Sequence, residues 1–171
     1  MPANSATTLP KFVMTSANPA NQPIVKDNEV ALKILGRTVD YFLFHNREIA
    51  HRCDDSVMRV HGNSQVFLRR SRGYAPAPIR LKQKSKRCVV GLGGELNNTS
   101  CILLDDKAFI SQHIGDVENI ETQSFLQEAT SHLQRLTNCH VQNVACDLHP
   151  KFNTTLLAKE MAQTDRLGLV Q

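Results

Sequence analysis

Hydrophobic positions in this chain first recur in short runs broken by polar turns, and later at a helical period, so the pattern divides the chain in two. Phe12-Val13-Met14 empties into Thr15-Ser16-Ala17-Asn18-Pro19, which predicts a buried strand ending in a polar turn. Asp27 or Asn28 then caps a helix whose apolar positions Val30, Ala31, Ile34 and Leu35 share one face, with Gly36 as its stop. Val39 to Phe44 is predicted as a second strand. Ser56 to Val60 and Gln65 to Arg69 flank His61-Gly62-Asn63-Ser64, whose turn chemistry predicts a hairpin.

From Cys88 the pattern restarts. Cys88 to Leu92, Thr99 to Leu104 and Ala108 to Gln112 are three apolar segments separated by Gly-Gly-Glu-Leu-Asn-Asn and Asp-Asp-Lys turns, which predicts three hairpin-linked strands. A long amphipathic helix follows on Leu126, Ala129, Leu133 and Leu136, with Asn119 as its cap. Val141 to Cys146 is the next strand, Asn153 to Gln163 a second helix, and Leu169-Val170 a last short strand. The order strand, strand, strand, helix, strand, helix, strand is the opening half of a ribonuclease-H-like or actin-like domain. In such folds the first hairpin turn offers backbone donors to phosphate, a role that Gly91-Leu92-Gly93-Gly94 fits. The boundary between the two parts is predicted between Pro76-Ala77-Pro78 and Arg87, giving units of 1–81 and 88–171 joined by a basic linker over 82–87.

Composition changes this picture in three places. A hydrophobic content of 41% supports a packed core, and no apolar run reaches the roughly 20 residues of a membrane span. Met1 to Pro10 lacks a basic-then-apolar signal pattern, so a cytoplasmic protein without membrane association is expected. The five cysteines are odd in number and form no CxxC pair, which predicts reduced, mostly buried thiols. The net charge of +4 is mild, but Arg69 to Arg87 holds eight basic residues and no acidic one, a block suited to phosphate on a nucleotide or a nucleic acid.

Candidate chemistry follows from residue types at element ends. Ser16 and Asn18 end a predicted strand and can hold an oxyanion or a ribose. Arg69, Arg70 and Arg72 close another strand, where guanidinium groups bind phosphate well. Asp54 and Asp55 need a cation or donors beside them, and either salt bridges to those arginines or a metal would serve. His113 and Asp116 pair an imidazole with a carboxylate in one turn. Cys139, His140, Cys146 and His149 are metal-ligand types, but a strand between them would point neighbours to opposite faces, so one tetrahedral site is not expected. No nucleophile-elbow serine stands out.

The strings KFVMTSANPANQPIV, DYFLFHNREIAHRCDDSVMRV, FLRRSRGYAPAPIRL, GLGGELNNTSCILL, SQHIGDVEN and VACDLHPKF closely resemble, in order, the HypF family, the carbamoyltransferases of nickel–iron hydrogenase maturation. The resemblance implies the C-terminal part of a YrdC/Sua5-like twisted-sheet domain followed by the first half of an actin-like, Kae1-like domain. It implies that ATP, with Mg, activates carbamate from carbamoyl phosphate as carbamoyl adenylate, and that the carbamoyl group passes to the C-terminal cysteine of the partner HypE for cyanide synthesis. Ser16 and Asn18 match the Ser-x-Asn of the first site, with Arg69, Arg70 and Arg72 as phosphate neutralisers. Glu95, Asn98, His113 and Asp116 match segments near the second nucleotide or carbamoyl site. Two departures stand out: Pro19-Ala20-Asn21 replaces a Leu-Ser-Gly-like segment, where Asn21 can still adopt a left-handed turn, and Asn97 stands where a lysine is expected. The metal and zinc sites of the longer family members, and the lysine and arginine of the first site, have no counterpart in this stretch, so it is expected to be an internal piece that is inactive alone. A competing reading is a double-stranded-RNA-binding module of YrdC type, against which stands the single aromatic of the basic block, Tyr74. A third is an inactive remnant.

Overall fold

The structure, a computed structural model, describes residues 11–171, so the polar stretch Met1 to Pro10 lies outside it. In order, the elements are α1 (Asn28–Leu35), β1 (Val57–His61), β2 (Ser64–Arg69), β3 (Ile79–Arg80), β4 (Val89–Gly91), β5 (Cys101–Leu104), β6 (Lys107–Ile110), α2 (Ile120–Thr137), β7 (Asn143–Ala145), α3 (Asn153–Thr164) and β8 (Gly168–Val170).

The six-stranded sheet runs β3-β6-β5-β4-β7-β8. Strands β4, β5 and β6 form the antiparallel meander predicted from the two turn clusters, and β7 and β8 add parallel to β4. Val90, Ile102 and Val144 are register neighbours across the three central strands, and all three are fully buried. Leu133 of α2 and Ala158 of α3 belong to the same core cluster. Burying such a row removes apolar surface from water at about 25 cal/mol per Å², which makes this sheet and its two helices the stable part of the chain.

Helix α2 starts at a reciprocal capping box: Asn119 Oδ1 accepts from Thr122 N at 2.9 Å, and Thr122 Oγ1 accepts from Asn119 N at 3.4 Å. Its buried stripe is Phe125, Leu126, Ala129 and Leu133, together with Thr122 and Thr130. Leu136, expected on that stripe, is exposed, because the apolar cluster under the helix ends at Leu133. Thr130, though polar, is accommodated by donating to Leu126 O at 2.7 Å and lying 2.8 Å from Ser100 Oγ.

The part before the sheet is built differently. Asp27 caps α1 through Glu29 N and Val30 N as predicted, yet no residue of α1 is buried. Two predicted strands do not form: Phe12 to Met14 and Val39 to Phe44 are irregular, and Val13 and Leu43 are fully exposed. A strand needs a ladder partner for its backbone groups, and none lies alongside either segment among the described residues. The β1-β2 hairpin does form, with Gly62 at φ 59 in its turn. Its base is closed by Ser56 Oγ donating to Arg72 O at 2.8 Å while accepting from Ser71 N at 2.9 Å. Ile79 and Arg80 pair with Ala108 and Lys107 of β6, so their backbone belongs to the six-stranded sheet.

The cysteines correct the expectation of five reduced thiols. Cys88 and Cys139 are joined in a disulfide with Cα atoms 6.6 Å apart, linking the entry to β4 with the loop after α2. The two positions converge only because α2 folds back across the sheet. Cys53, Cys101 and Cys146 are free and half-buried.

Candidate functional site

A cleft of about 330 Å³ opens where the first part meets the loops of the sheet. One wall carries Ser16, Asn18, Asn21, Asp54 and Arg69; the other carries Asn97, His113, Gly115, Asp116 and the first turns of α2.

On the first wall, the turn after Ser16 is held by Asn18 Nδ2, which donates to Pro19 O at 3.0 Å and Gln22 O at 2.9 Å. Asn21 adopts φ 59, the left-handed conformation that asparagine tolerates in place of glycine. Asn18 Oδ1 is buried with no hydrogen-bond partner among the described residues, an acceptor available to a donor group. Arg69 at the end of β2 lies 3.4 Å from Asp54 Oδ2, a loose ion pair that leaves most of its donors free.

The opposite wall is built by two loops zipped together. Asn98 N donates to Gly115 O at 2.9 Å, Ile114 N to Asn98 O at 2.9 Å, and Asn97 N to Asp116 Oδ1 at 2.8 Å. Asn98 itself is buried, and its Nδ2 donates to the carbonyls of Leu92 and Gly94, so it braces the glycine turn from within. His113 is 9% exposed. Burial first, then the Arg69 guanidinium across the cleft, lower its pKa, while Asp54 and Asp116 pull the other way. The imidazole is therefore neutral at neutral pH and keeps one nitrogen able to accept a proton or a hydrogen bond.

The structure thus brings Ser16, Asn18, Arg69, His113 and Asp116 together and directs the other four candidates elsewhere. Arg70 Nη2 donates to Tyr74 O and Ala77 O, both at 2.8 Å. Arg72 Nη2 donates to Cys53 O at 2.9 Å, and its Nε lies 3.6 Å from Asp55. Glu95 Oε1 accepts from Asn153 N at 3.0 Å at the start of α3, and Asn98 supports the turn. Asn21, Asn97 and Asn119 were not singled out as lining residues; sequence places them in turns and a cap, and only their convergence makes them part of the cleft. Among the described residues no group of three or more His, Cys, Asp or Glu side chains could hold a metal ion, so Cys139, His140, Cys146 and His149 do not converge.

A meander of three antiparallel strands continued by parallel strands, with helices between, defines the opening of an actin-like, ribonuclease-H-like domain, here preceded by part of a second α/β unit. Residues 84–171 match the family described as "HypF Kae1-like domain", and residues 4–71 the family described as "Telomere recombination", which covers Sua5, YciO and YrdC proteins. The chain belongs to the HypF family.

It is 46% identical over 153 residues to a probable carbamoyltransferase HypF of Methanocaldococcus jannaschii, covering 89% of this chain and 20% of that protein. It is 48% identical over 154 residues to carbamoyltransferase HypF2 of Cupriavidus necator, covering 88% and 19%. Two solved structures are similar. A full-length HypF in a phosphate- and nucleotide-bound form matches with a TM-score of 0.85 at 38% identity, over 91% of this chain and 24% of that one. HypF of T. kodakarensis matches with a TM-score of 0.84 at 39% identity, over 92% and 21%. The chain spans about a fifth of the length of the curated relatives it matches.

Proposed function

We propose that this chain forms the nucleotide- and carbamoyl-handling cleft of an ATP-dependent carbamoyltransferase acting in hydrogenase maturation. The observation that carries this reading is the meeting of Ser16, Asn18 and Arg69 with His113 and Asp116 across one cleft. Arg69 would neutralise a phosphate of ATP or carbamoyl phosphate. Asn18 Oδ1, buried and unpaired, would accept from the carbamoyl amide, a group with two N–H donors. His113, held neutral by burial and by Arg69, would keep a ring nitrogen free to accept a hydrogen bond from the carbamoyl amide.

In the proposed reaction, water releases carbamate and inorganic phosphate from carbamoyl phosphate, a carbamate oxygen attacks the α-phosphorus of MgATP, pyrophosphate leaves, and the resulting carbamoyl adenylate gives its carbamoyl group to a thiolate with release of AMP. The thiolate would be the C-terminal cysteine of HypE. The units would divide at 1–81 and 88–171, with the 82–87 stretch between them, in a cytoplasmic protein. The relative described as phosphate- and nucleotide-bound supports a nucleotide site of this kind. No helix among the described residues is long and apolar enough to cross a membrane.

Calorimetric titration with MgATP and with carbamoyl phosphate tests the reading, run beside a salt series with double-stranded RNA. Saturable nucleotide binding that weakens in Arg69→Ala, with carbamoyl phosphate binding that weakens in Asn18→Ala, supports it. Absence of nucleotide and carbamoyl phosphate binding, with RNA affinity that falls log-linearly with salt, would replace it with the nucleic-acid module.

A further inference from the structure

One carboxylate on the outer face of α2 holds both chain segments that make the first wall of the cleft. Glu128 Oε1 receives Lys26 Nζ, and Glu128 Oε2 receives Arg52 Nη1 at 2.6 Å. Arg52 is further fixed by its Nε donating to Ile24 O at 2.8 Å and by its guanidinium lying 5.4 Å from the centroid of the Phe125 ring. Burial opposes ionisation of Glu128, but the Lys26 hydrogen bond and the Arg52 charge outweigh it and hold its pKa below the usual carboxylate value.

Each cation continues directly into the cleft wall. The residue before Lys26 donates from its backbone to the loop that bears Ser16 and Asn18: Val25 N lies 3.0 Å from Ala17 O. Arg52 precedes Cys53 and Asp54; Cys53 Sγ lies 3.6 Å from Ser71 Oγ, Asp54 O accepts from Arg72 N at 3.1 Å, and Asp54 faces Arg69. Among the described residues two other ties cross the same junction, Asn119 Nδ2 donating to Asn21 O at 2.7 Å and the His51 ring lying 3.6 Å from that of His132. Neither engages both segments at once.

We propose that Glu128 is a positioning residue for the cleft: by sharing its carboxylate between Lys26 and Arg52 it sets the distance between the Asn18-Asp54-Arg69 wall and the His113-Asp116 wall. Its bearing on catalysis rests on the reading of the cleft given above, whereas its effect on the gap can be read without any ligand. The reporter is His113, which faces Arg69 and Asp54 from the first part and Asp116 from its own loop. Widening the cleft rehydrates the imidazole and removes the Arg69 charge, and both changes raise its pKa; loss of Asp54 opposes them more weakly.

The experiment is an NMR titration of the His113 ring protons in the 171-residue chain and in the variants Glu128→Gln, Glu128→Asp, Lys26→Gln and Arg69→Ala. His113 is expected to titrate higher in Glu128→Gln than in the parent, with Glu128→Asp between them because it keeps the charge at shorter reach. Lys26→Gln should shift it in the same direction. Adding Arg69→Ala to Glu128→Gln should give less than the sum of the single shifts, because the first change has already moved the guanidinium away. An unchanged His113 titration in a folded Glu128→Gln chain overturns the proposal, as does a fully additive Arg69→Ala. Should Glu128→Gln not fold, an unchanged His113 in Lys26→Gln has the same force. Failure of the parent chain to bind nucleotide would count against the proposed function and leave this readout standing.

Discussion

Among the three clustered arginines, side-chain partners decide which one is available to a ligand. Arg70 is committed to two carbonyls and Arg72 to a third and to Asp55, whereas Arg69 has one loose carboxylate contact and lines the cleft. A charged hydrogen bond to phosphate contributes about 1.5–3 kcal/mol, so Arg69→Ala is expected to weaken MgATP or carbamoyl phosphate binding roughly ten- to a hundredfold. Arg72→Ala removes an exposed pair of about 0–1 kcal/mol and should change the affinity less than about fivefold. Calorimetry on the two variants compares them directly, and the reverse order would show that Arg72 turns toward the ligand.

Strands and turns of the sheet carry their own tests. Gly93 sits at φ 66, and a Cβ there would meet Thr99 O at 3.0 Å and Asn98 Nδ2 at 3.1 Å. Gly93→Ala combines a left-handed backbone with pressure on the asparagine that braces the turn, and is expected to destabilise the chain by about 1–3 kcal/mol in urea unfolding. An alanine variant as stable as the parent would mean that the turn can relax away from Asn98. The Cys88–Cys139 link predicts that, denatured without reductant, the chain presents three reactive thiols, those of Cys53, Cys101 and Cys146. A count of five by thiol titration would show both sulfurs reduced.

On the scale of the whole molecule, the junction between the two parts concentrates the groups that make folding sensitive to acid. His113 and His132 both titrate below the ordinary histidine value of 6.5, His113 through burial and Arg69, His132 through burial, His51 and Arg135. The unfolded chain therefore binds protons that the folded chain resists, and stability falls as pH drops below that value. Glu128, held below its ordinary 4.5, contributes stability above that pH and loses it as acid protonates the carboxylate. Thermal melts between neutral pH and about pH 5 should show the first loss, and His113→Gln should flatten it. A melting temperature independent of pH over that range would contradict both histidine assignments.

Local pattern determined the elements whose partners are near in sequence. The β1-β2 hairpin, the β4-β5-β6 meander and the cap of α2 follow from turn residues, alternation and helical spacing, all of which act within a few residues, whereas the left-handed turn at Asn21 was expected only from the family resemblance. The collinear motifs were equally legible as family membership. What the tertiary structure alone decided was anything that depends on distant segments meeting. Phe12 to Met14 and Val39 to Phe44 have strand composition but no adjacent ladder among the described residues, so composition alone does not make them strands. Cys88 and Cys139 became neighbours only through the fold of α2, against a reading by spacing alone. Arg69, Arg70 and Arg72 look alike in sequence, and their separation into one free and two committed side chains comes from carbonyls and carboxylates brought to them by the closed hairpin and the following loop. Glu128 gave no sign of its two partners, because Lys26 and Arg52 reach it only once the first part rests on α2.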